Sequence, residues 1–228
     1  MARFSDGCAV GQIGDTSVMV AAVSKNKSNF LSYVPLTVDY RQKSSSAGKI
    51  PHNFLRRELG ASEKEILTAR LIDRSIRPLF PQGYSYDTQL CCNLLSVDGV
   101  NNPDIIAINA ASTALHLSDI PWDGPIGAVR VAVMGDYDCV INPTRREISE
   151  CLFHIILTAN NRKNIIMLEG FANKPIFLQY LLKAIKKGLK ETTSIIDGIN
   201  KLNQPVKEKR IFEKHCKQTE EIVNAVKM

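Results

Sequence analysis

The chain has 228 residues, 44% of them hydrophobic, so it can bury a sizeable core and is not an intrinsically disordered polypeptide. Lysine and arginine outnumber aspartate and glutamate by 29 to 23; this net charge of +6 either favours an acidic partner such as nucleic acid or serves solubility alone. No apolar run reaches the roughly 18 residues that a membrane helix needs, so we expect no membrane span. The N-terminus shows neither a signal peptide nor an amphipathic presequence, and removal of a targeting segment before residue 1 stays an open alternative.

Short apolar, β-branched runs predict strands along the first 170 residues. They cover residues 17–23, 33–38, 88–97, 126–134, 138–142, 151–159 and 164–170. The segment "GQIGDT" superficially resembles a phosphate-binding loop but lacks its lysine, so a hairpin turn is the better interpretation. Strands that alternate with helices indicate an α/β or α+β fold.

The first predicted helix covers residues 62–77. Ser62 and Glu65 form an S-x-x-E capping box at its start, and Pro78 follows its end. Three arginines share one face of this helix at spacings i, i+4 and i+7: Arg70, Arg74 and Arg77. They either form ion pairs with carboxylates elsewhere or face phosphates or a neighbouring subunit.

The second predicted helix follows "NNPD". Asn102 is its expected N-cap, Pro103 suits the first helical position, and Asp104 suits the positive end of the helix dipole. A third helix is predicted between residues 171 and 203, where apolar side chains recur at helical spacing: Leu181, Ile185 and Leu189. Residues 204–210 are predicted to be a linker, and the remainder to begin another helix.

The segment before the first helix is basic and contains one aromatic residue, Phe54. Its cations are Arg41, Lys43, Lys49, Arg56 and Arg57, and "SSSAG" suggests flexibility. Guanidinium groups match phosphate oxygens, and an aromatic ring can stack on any base, which is how single strands are held without sequence preference. The alternative is a solvated loop with Phe54 buried in the core.

The remaining chemistry-bearing residues suggest no catalytic or metal site. The six cysteines show no CxxC pair and most lie in apolar runs, so we expect free thiols and a reducing compartment. His116 and His154 lie in apolar elements and are predicted to be core residues. Asp136 and Asp138 fall at a predicted turn between strands, where carboxylates stabilise hairpins.

Four segments resemble one family closely: "NFLRREL", "ARLIDRSIRPLFP", "VNNPDIIAINAASTAL" and "SDIPWDGPIGAVR". They are similar to the first of the two RNase PH-type core domains of polynucleotide phosphorylases (polyribonucleotide nucleotidyltransferases), most of all the animal mitochondrial form. The resemblance implies an α+β fold in β-α-β-α layers, like domain 2 of ribosomal protein S5. It assigns residues 1–170 to this core without its first strand, 171–203 to a helix packing on it, and 204–228 to a linker and the start of an all-helical domain.

The resemblance also implies an activity for the full-length protein. The family degrades RNA from its 3′ end by phosphorolysis, releasing nucleoside diphosphates, with Mg²⁺ and inorganic phosphate bound at the second core. The implied partners are single-stranded RNA, two further copies in a homotrimer, and the second core of the same chain. The implied location is the mitochondrion, with the cytoplasm as the alternative.

Site residues follow by matching motifs. The resemblance implies that Phe54, Leu55, Arg56 and Arg57 hold single-stranded RNA at the mouth of a central channel. It further implies that Arg70 and Arg74 support that channel or the subunit contact.

The family's catalytic residues do not carry over to this core. A serine-rich, phosphate-binding turn is replaced by Asn102, Pro103 and Asp104, and the two metal-binding aspartates fall on Arg146 and Leu152. The resemblance therefore implies a core that lacks catalytic residues and binds no metal itself. A truncated, stand-alone RNA-binding or scaffold protein is the alternative, and a self-sufficient exoribonuclease is the weakest hypothesis.

Overall fold

The computed structural model describes residues 2–28, 33–58, 60–202 and 207–212. Eight strands run in these ranges: β1 Gly7–Ile13, β2 Thr16–Ser28, β3 Leu36–Arg41, β4 Tyr86–Ser96, β5 Ile126–Val133, β6 Cys139–Ile141, β7 Phe153–Asn160 and β8 Ile165–Ala172. The α-helices of the same ranges are α1 Glu63–Ile76, α2 Pro103–Leu117, α3 Arg145–Glu150 and α4 Leu178–Asn200.

The strands form two four-stranded sheets. The first sheet has the order β1-β2-β4-β3, and only its β3–β4 pair is parallel, with α1 in the crossover between the two strands. The second sheet has the order β6-β5-β7-β8 and is antiparallel throughout. The N-terminal end of α1 therefore follows the carboxyl end of β3.

The two sheets and the helices stack in four layers. Both α1 and α2 lie between the sheets: α2 packs on β1, β2 and β5, while α1 packs on β3 and reaches β8. The helix α4 covers the other face of the second sheet, against β5 and β7. All eight residues of β5 are buried because helices cover both of its faces. This β-α-β-α arrangement confirms the predicted fold class.

Close packing between α4 and β5 depends on glycine. A Cβ atom added to Gly127 would lie 2.5 Å from the carbonyl oxygen of Thr192. One added to Gly188 would lie 3.1 Å from Leu157 and 3.2 Å from Val131. Both positions let the helix backbone approach the sheet closely.

Local signals predicted several elements correctly. Ser62 and Glu65 form the capping box of α1 as predicted. Gly14, with φ 58°, lies in the two-residue turn that joins β1 to β2, which confirms the hairpin. Asp136 and Asp138 lie in the β5–β6 turn, where the Asp136 Oδ1 accepts a 3.2 Å hydrogen bond from the Asp138 N–H.

Other expectations were wrong in detail. Neither β1 nor α3 was predicted, and β3 begins at Leu36 rather than at residue 33. The side chain of Asn102 does not cap α2; its Oδ1 instead accepts a 3.2 Å hydrogen bond from the Arg145 Nε. His116 and His154 are half-buried rather than fully within the core.

The described part of the predicted linker packs on the core. Lys209 Nζ donates to the carbonyl oxygens of Leu115 and Ser118 at 3.0 and 2.7 Å, at the C-terminal end of α2. Arg210 pairs with Asp6 and Asp119 at 2.7 and 2.5 Å. Residues 204–206 and the helix predicted after residue 212 lie outside the described residues. In the described ranges, no helix is both long and apolar enough to cross a bilayer.

Candidate nucleic-acid interface

The two ends of the β3–α1 loop, residues 42–62, both bind the same carboxylate, that of Glu65. Glu65 Oε1 accepts a 2.6 Å hydrogen bond from the backbone N–H of Gln42, at the end of β3. Its Oε2 accepts hydrogen bonds from Ser62, at 2.6 Å from the backbone N–H and 2.8 Å from Oγ. Glu65 therefore joins the two ends of the loop.

The environment of Glu65 favours its charged form. Burial on its own raises the pKa of a carboxyl group, but the hydrogen bonds from Gln42 and Ser62 outweigh burial and lower the pKa of Glu65 below its ordinary value. The Arg41 guanidinium acts in the same direction. The carboxylate is thus ionised at neutral pH, in the state that holds the loop.

The first half of the β3–α1 loop is ordered, which corrects the flexibility expected of "SSSAG". Ser44–Ala47 form a 3₁₀ turn that ends at Gly48, whose φ of 66° is left-handed. The N–H of Val97 donates to the Ser46 carbonyl at 3.1 Å, and the N–H of Ser44 donates to Glu58 Oε1 at 2.5 Å. These contacts fasten the turn both to the chain just beyond β4 and to the second half of the loop.

The tip of the loop is a tight turn held by Asn53. Asn53 Oδ1 accepts a 3.0 Å hydrogen bond from the N–H of Arg57, and its Nδ2 donates to the Arg57 carbonyl. The N–H of Arg56 donates to the Asn53 carbonyl at 2.9 Å, and Arg56 itself has a φ of 48°, a region that non-glycine residues seldom adopt. The tip is therefore a defined local structure.

The side chains at this tip point to solvent. Phe54 is 100% exposed and Leu55 56% exposed, which excludes the alternative in which Phe54 is buried in the core. In the described part of the chain, neither Arg56 nor Arg57 has a carboxylate within 4.0 Å. An unburied aromatic ring and two uncompensated guanidinium groups thus lie side by side.

A large open cavity lies beside the tip, between the loop and the ends of β3 and β4. It measures about 1080 Å³. Its cationic lining residues are Arg41, Lys43, Lys49 and Arg57, and its acidic ones are Asp39, Glu58 and Glu65. Arg41 pairs with Asp39 at 2.9 Å, and Glu58 and Glu65 accept the backbone hydrogen bonds described above. The acids are therefore engaged with the protein, whereas Lys43, Lys49 and Arg57 remain for an anionic ligand.

The arginine row of α1 divides between two environments. Arg77 is half-buried; it pairs with Asp73 at 2.6 Å and donates to the carbonyls of Val34 and Leu36. Arg74 is exposed and pairs with Glu169 of β8 at 2.9 Å. Arg70 is exposed and, among the described residues, forms no ion pair. Ion pairing, the simpler of the two expectations, thus accounts for Arg74 and Arg77 in the isolated chain.

The N-terminal end of α2 is occupied by the protein's own charges. Asp104 Oδ2 accepts a hydrogen bond from Arg130, and the two side chains form an ion pair. Arg130 is only 8% exposed. Burial and the Asp104 carboxylate both raise the pKa of the nearby Tyr40 phenol. A carboxylate at this end of a helix takes the place that an external phosphate would otherwise occupy.

The two positions matched to the family's metal ligands do not suit a metal. Arg146 is exposed and pairs with Glu150 at 3.3 Å, and Leu152 packs against the apolar cluster of the second sheet. A guanidinium and an isobutyl group offer no ligand to Mg²⁺. Across the described ranges, no group of three or more His, Cys, Asp or Glu side chains is arranged to hold a metal ion.

Two family models match the chain in succession. Residues 1–121 match the 3′ exoribonuclease family, domain 1, and residues 124–191 match domain 2 of that family. The chain belongs to the 3′ exoribonuclease family. The boundary between the models separates the first sheet with α1 and α2 from the second sheet with α4.

The chain is similar to bacterial polyribonucleotide nucleotidyltransferases. The protein of Rhodospirillum rubrum is 42% identical over 229 residues, which covers 100% of this chain and 32% of the relative. The protein of Methylacidiphilum infernorum is 50% identical over 151 residues, which covers 64% of this chain and 21% of the relative. The chain is therefore an RNase PH core domain of this type, and it spans at most about a third of the length of these relatives.

Solved structures of exosome proteins share the fold. A structure titled as an Archaeoglobus fulgidus exosome with RNA bound to the active site superposes with a TM-score of 0.67 at 16% identity, over 85% of this chain and 83% of that chain. Rice Rrp46 superposes with a TM-score of 0.66 at 17% identity, over 86% of this chain and 88% of that chain. At such low identity these structures show the fold alone.

Two residues of the interface were not predicted from the sequence. Asn53, which shapes the tip, had a usable signal, since Asn commonly bonds to nearby backbone in turns. Glu58 binds the distant Ser44 N–H, and nothing in the local sequence indicates that pairing. Of the predicted residues, the structure brings together Phe54, Leu55, Arg56 and Arg57 at the tip, and places Arg70 and Arg74 along α1.

Proposed function

We propose that this chain is the first core domain of a 3′-to-5′ phosphorolytic exoribonuclease, in which it holds single-stranded RNA and does not itself cleave it. Membership of the 3′ exoribonuclease family and the similarity to polyribonucleotide nucleotidyltransferases support the reaction class. In the full-length protein, a second core would bind Mg²⁺ and inorganic phosphate and release nucleoside diphosphates.

The observation that carries the RNA-holding role is the exposed tip of the β3–α1 loop. Phe54 offers a free stacking face, and Arg56 and Arg57 offer guanidinium groups with no carboxylate partner in the described chain. Stacking on an aromatic ring and phosphate binding by arginine are the two contacts that hold single strands of any sequence. The cavity next to the tip, where Lys43, Lys49 and Arg57 have no carboxylate partner in the described chain, extends the surface available to the RNA backbone.

The absence of catalysis in this core rests on the residues present. Asp104 pairs with Arg130 at the start of α2 and would repel an attacking phosphate. By the sequence resemblance, Arg146 and Leu152 match the metal-binding aspartates of the family's active core, and neither side chain can coordinate Mg²⁺. No step of the reaction is therefore assigned to a side chain of this chain.

Assembly and location extend the same proposal. We expect the full-length protein to form a homotrimer in which Arg70 and Arg74 line the channel or a subunit contact, and we expect the second core to pack on this one. The mitochondrial location and the animal mitochondrial type stay predictions from the sequence resemblance, since the relatives named above are bacterial.

A turnover assay separates holding from cleavage. The chain is incubated with single-stranded RNA, inorganic phosphate and Mg²⁺, and both bound RNA and released nucleoside diphosphates are measured. We expect binding without release. Release of nucleoside diphosphates that requires added phosphate would instead identify a self-sufficient enzyme. The lack of a second core in the complete gene product would favour the stand-alone RNA-binding protein.

A further inference from the structure

The turn between β7 and β8 presents cations in a fixed conformation. Asn160 Oδ1 accepts 3.0 Å hydrogen bonds from the N–H groups of both Arg162 and Asn164, and the Lys163 N–H donates to the Asn160 carbonyl at 3.0 Å. Lys163 has a left-handed φ of 60°. Arg162 and Lys163 are both exposed, so the turn projects two positive charges from the edge of the second sheet.

The neighbouring surface of α4 carries lysines of two kinds. Lys183 and Lys187 donate to the carbonyl oxygens of Tyr137 and Cys139, at 3.3 and 2.5 Å, and so hold the β5–β6 hairpin. Lys186 and Lys190 are exposed and, within the described ranges, make no hydrogen bond or ion pair. They lie four residues apart and therefore on one face of the helix.

Lys163, Lys186 and Lys190 meet in a groove of about 460 Å³ between the β7–β8 turn and α4. The hydroxyl-bearing residues Thr193 and Ser194 also line it, and Asp197 is its one acidic lining residue in the described part of the chain. The lining therefore has three lysines and one carboxylate, and carries an excess of positive charge. We name this the α4 groove.

We propose that the α4 groove is a second binding surface for the phosphate backbone of single-stranded RNA. The charge complementarity and the exposed Ser194 hydroxyl fit a row of phosphates, whereas the Thr193 hydroxyl already donates to the Leu189 carbonyl at 3.1 Å. Within the described ranges, no aromatic side chain lines the groove to stack on a base. The groove binds backbone only and is indifferent to sequence. This inference rests on the proposed function of the β3–α1 loop, because it takes the same RNA as the ligand.

The groove and the loop tip lie in different layers of the molecule. The α4 helix is the outer layer on the second sheet, whereas the β3–α1 loop precedes α1, which lies between the sheets. An RNA that contacts both therefore has to extend from the layer between the sheets to the outer layer. A short oligonucleotide bound at the tip would leave the groove empty, and a longer one would use it.

The test compares variants of the whole chain by fluorescence anisotropy with single-stranded RNAs of about 8 and about 30 nucleotides, a choice guided by site sizes of about 4 to 16 nucleotides. The groove variant is Lys186→Gln with Lys190→Gln. The matched control is Lys27→Gln with Lys174→Gln, which removes the same charge from exposed positions that form no ion pair in the described part of the chain. The variant Lys186→Arg with Lys190→Arg keeps the charge.

We expect the groove variant to lower affinity for the long RNA about 2- to 30-fold, the range for two exposed ion pairs, and to leave the short RNA unaffected. The salt-dependence slope should fall by about 1.4. The Arg variant should bind like the parent, and the control should change little.

Three results would contradict the proposal that the α4 groove binds RNA. They are an unchanged affinity for long RNA, an equal loss in the Lys27 and Lys174 control, or an equal loss for short and long RNA. If Arg56→Ala with Arg57→Ala still weakens binding in those cases, only the groove is wrong. If that loop variant also binds normally, the proposed function itself is wrong.

Discussion

Asn53 holds Arg57 through both polar groups of that residue's backbone, accepting from its N–H at 3.0 Å and donating to its carbonyl. One exposed amide therefore sets the direction in which the Phe54–Arg57 tip faces. The backbone that carries the arginines is already fixed before RNA binds. Binding therefore costs less conformational entropy than it would in a flexible loop.

Replacing Asn53 by alanine should weaken RNA binding although every charge is retained. We expect a several-fold loss of affinity with an unchanged salt-dependence slope, because the turn is loosened while the arginines can still reach phosphates. Thermal stability should move little, since Asn53 is exposed. Anisotropy titrations at several salt concentrations measure both quantities. Gln89→Ala, at an exposed position of β4, is the control, and a fall in slope would contradict this role.

Removing both guanidinium groups should act on the salt dependence. Arg56→Ala with Arg57→Ala is expected to weaken single-strand binding and to reduce the slope by about 0.7 for each RNA phosphate that the protein no longer neutralises. The same titrations, repeated with RNAs of different sequence, should show a uniform loss. An unchanged slope would show that neither arginine contacts an RNA phosphate, and would favour the interpretation of the segment as a solvated loop.

The Phe54 ring should contribute by stacking. Phe54→Ala is expected to cost about 1 to 3 kcal/mol of RNA binding, the usual value for one base on an aromatic ring, while Phe54→Trp should preserve it. The free energy of unfolding should be the same in all three proteins, because this side chain is 100% exposed. Loss of stability in Phe54→Ala would indicate a packing role instead.

Glu65 should make the stability of the loop ends depend on pH. Its pKa is lowered in the folded chain, so its charged form stabilises the fold above the ordinary glutamate pKa, and this contribution is lost as the pH falls through the folded value. Glu65→Gln should lower the free energy of unfolding at pH 7 by about 1 to 3 kcal/mol. Urea denaturation at several pH values should show that the difference in the free energy of unfolding between Glu65→Gln and the parent becomes smaller as the pH falls. Glu63→Gln, an exposed carboxylate in the same first turn, should show no such trend.

Leu152 should matter for packing and not for a metal. We expect Leu152→Ala to cost less than the about 2 to 5 kcal/mol of a fully buried leucine, because the side chain is half-buried against the second-sheet cluster. Calorimetric titration with Mg²⁺ should be identical for the variant and the parent. A difference would show that the match of this position to a metal ligand, and the interpretation built on it, is wrong.

The sequence predicted those parts of the fold whose cause is local. The S-x-x-E box at Ser62 placed the start of α1, and a similar T-x-x-E box at Thr144 and Glu147 caps the unpredicted α3. By contrast, β1 carries no clear alternation of apolar residues. It becomes a strand because it pairs with β2 along its whole length, and such pairing is a tertiary effect.

The interface shows the same division. The aromatic residue and the arginine pair were evident from residue type, and the structure adds that they are exposed. The contacts that position them join residues far apart in the chain: Glu65 with Gln42, Ser44 with Glu58, and Val97 with Ser46. Local patterns do not encode such contacts, so the ordered shape of the loop could not be predicted.

Because the Glu65 carboxylate closes the β3–α1 loop at its base, changes confined to the exposed tip, residues 53–57, are expected to leave β3 and α1 in place. Loop length itself adds little entropic cost once the ends are held together. The tip is therefore separable from the scaffold, and a different tip sequence on the same closed base is expected to change what the loop binds without changing the fold.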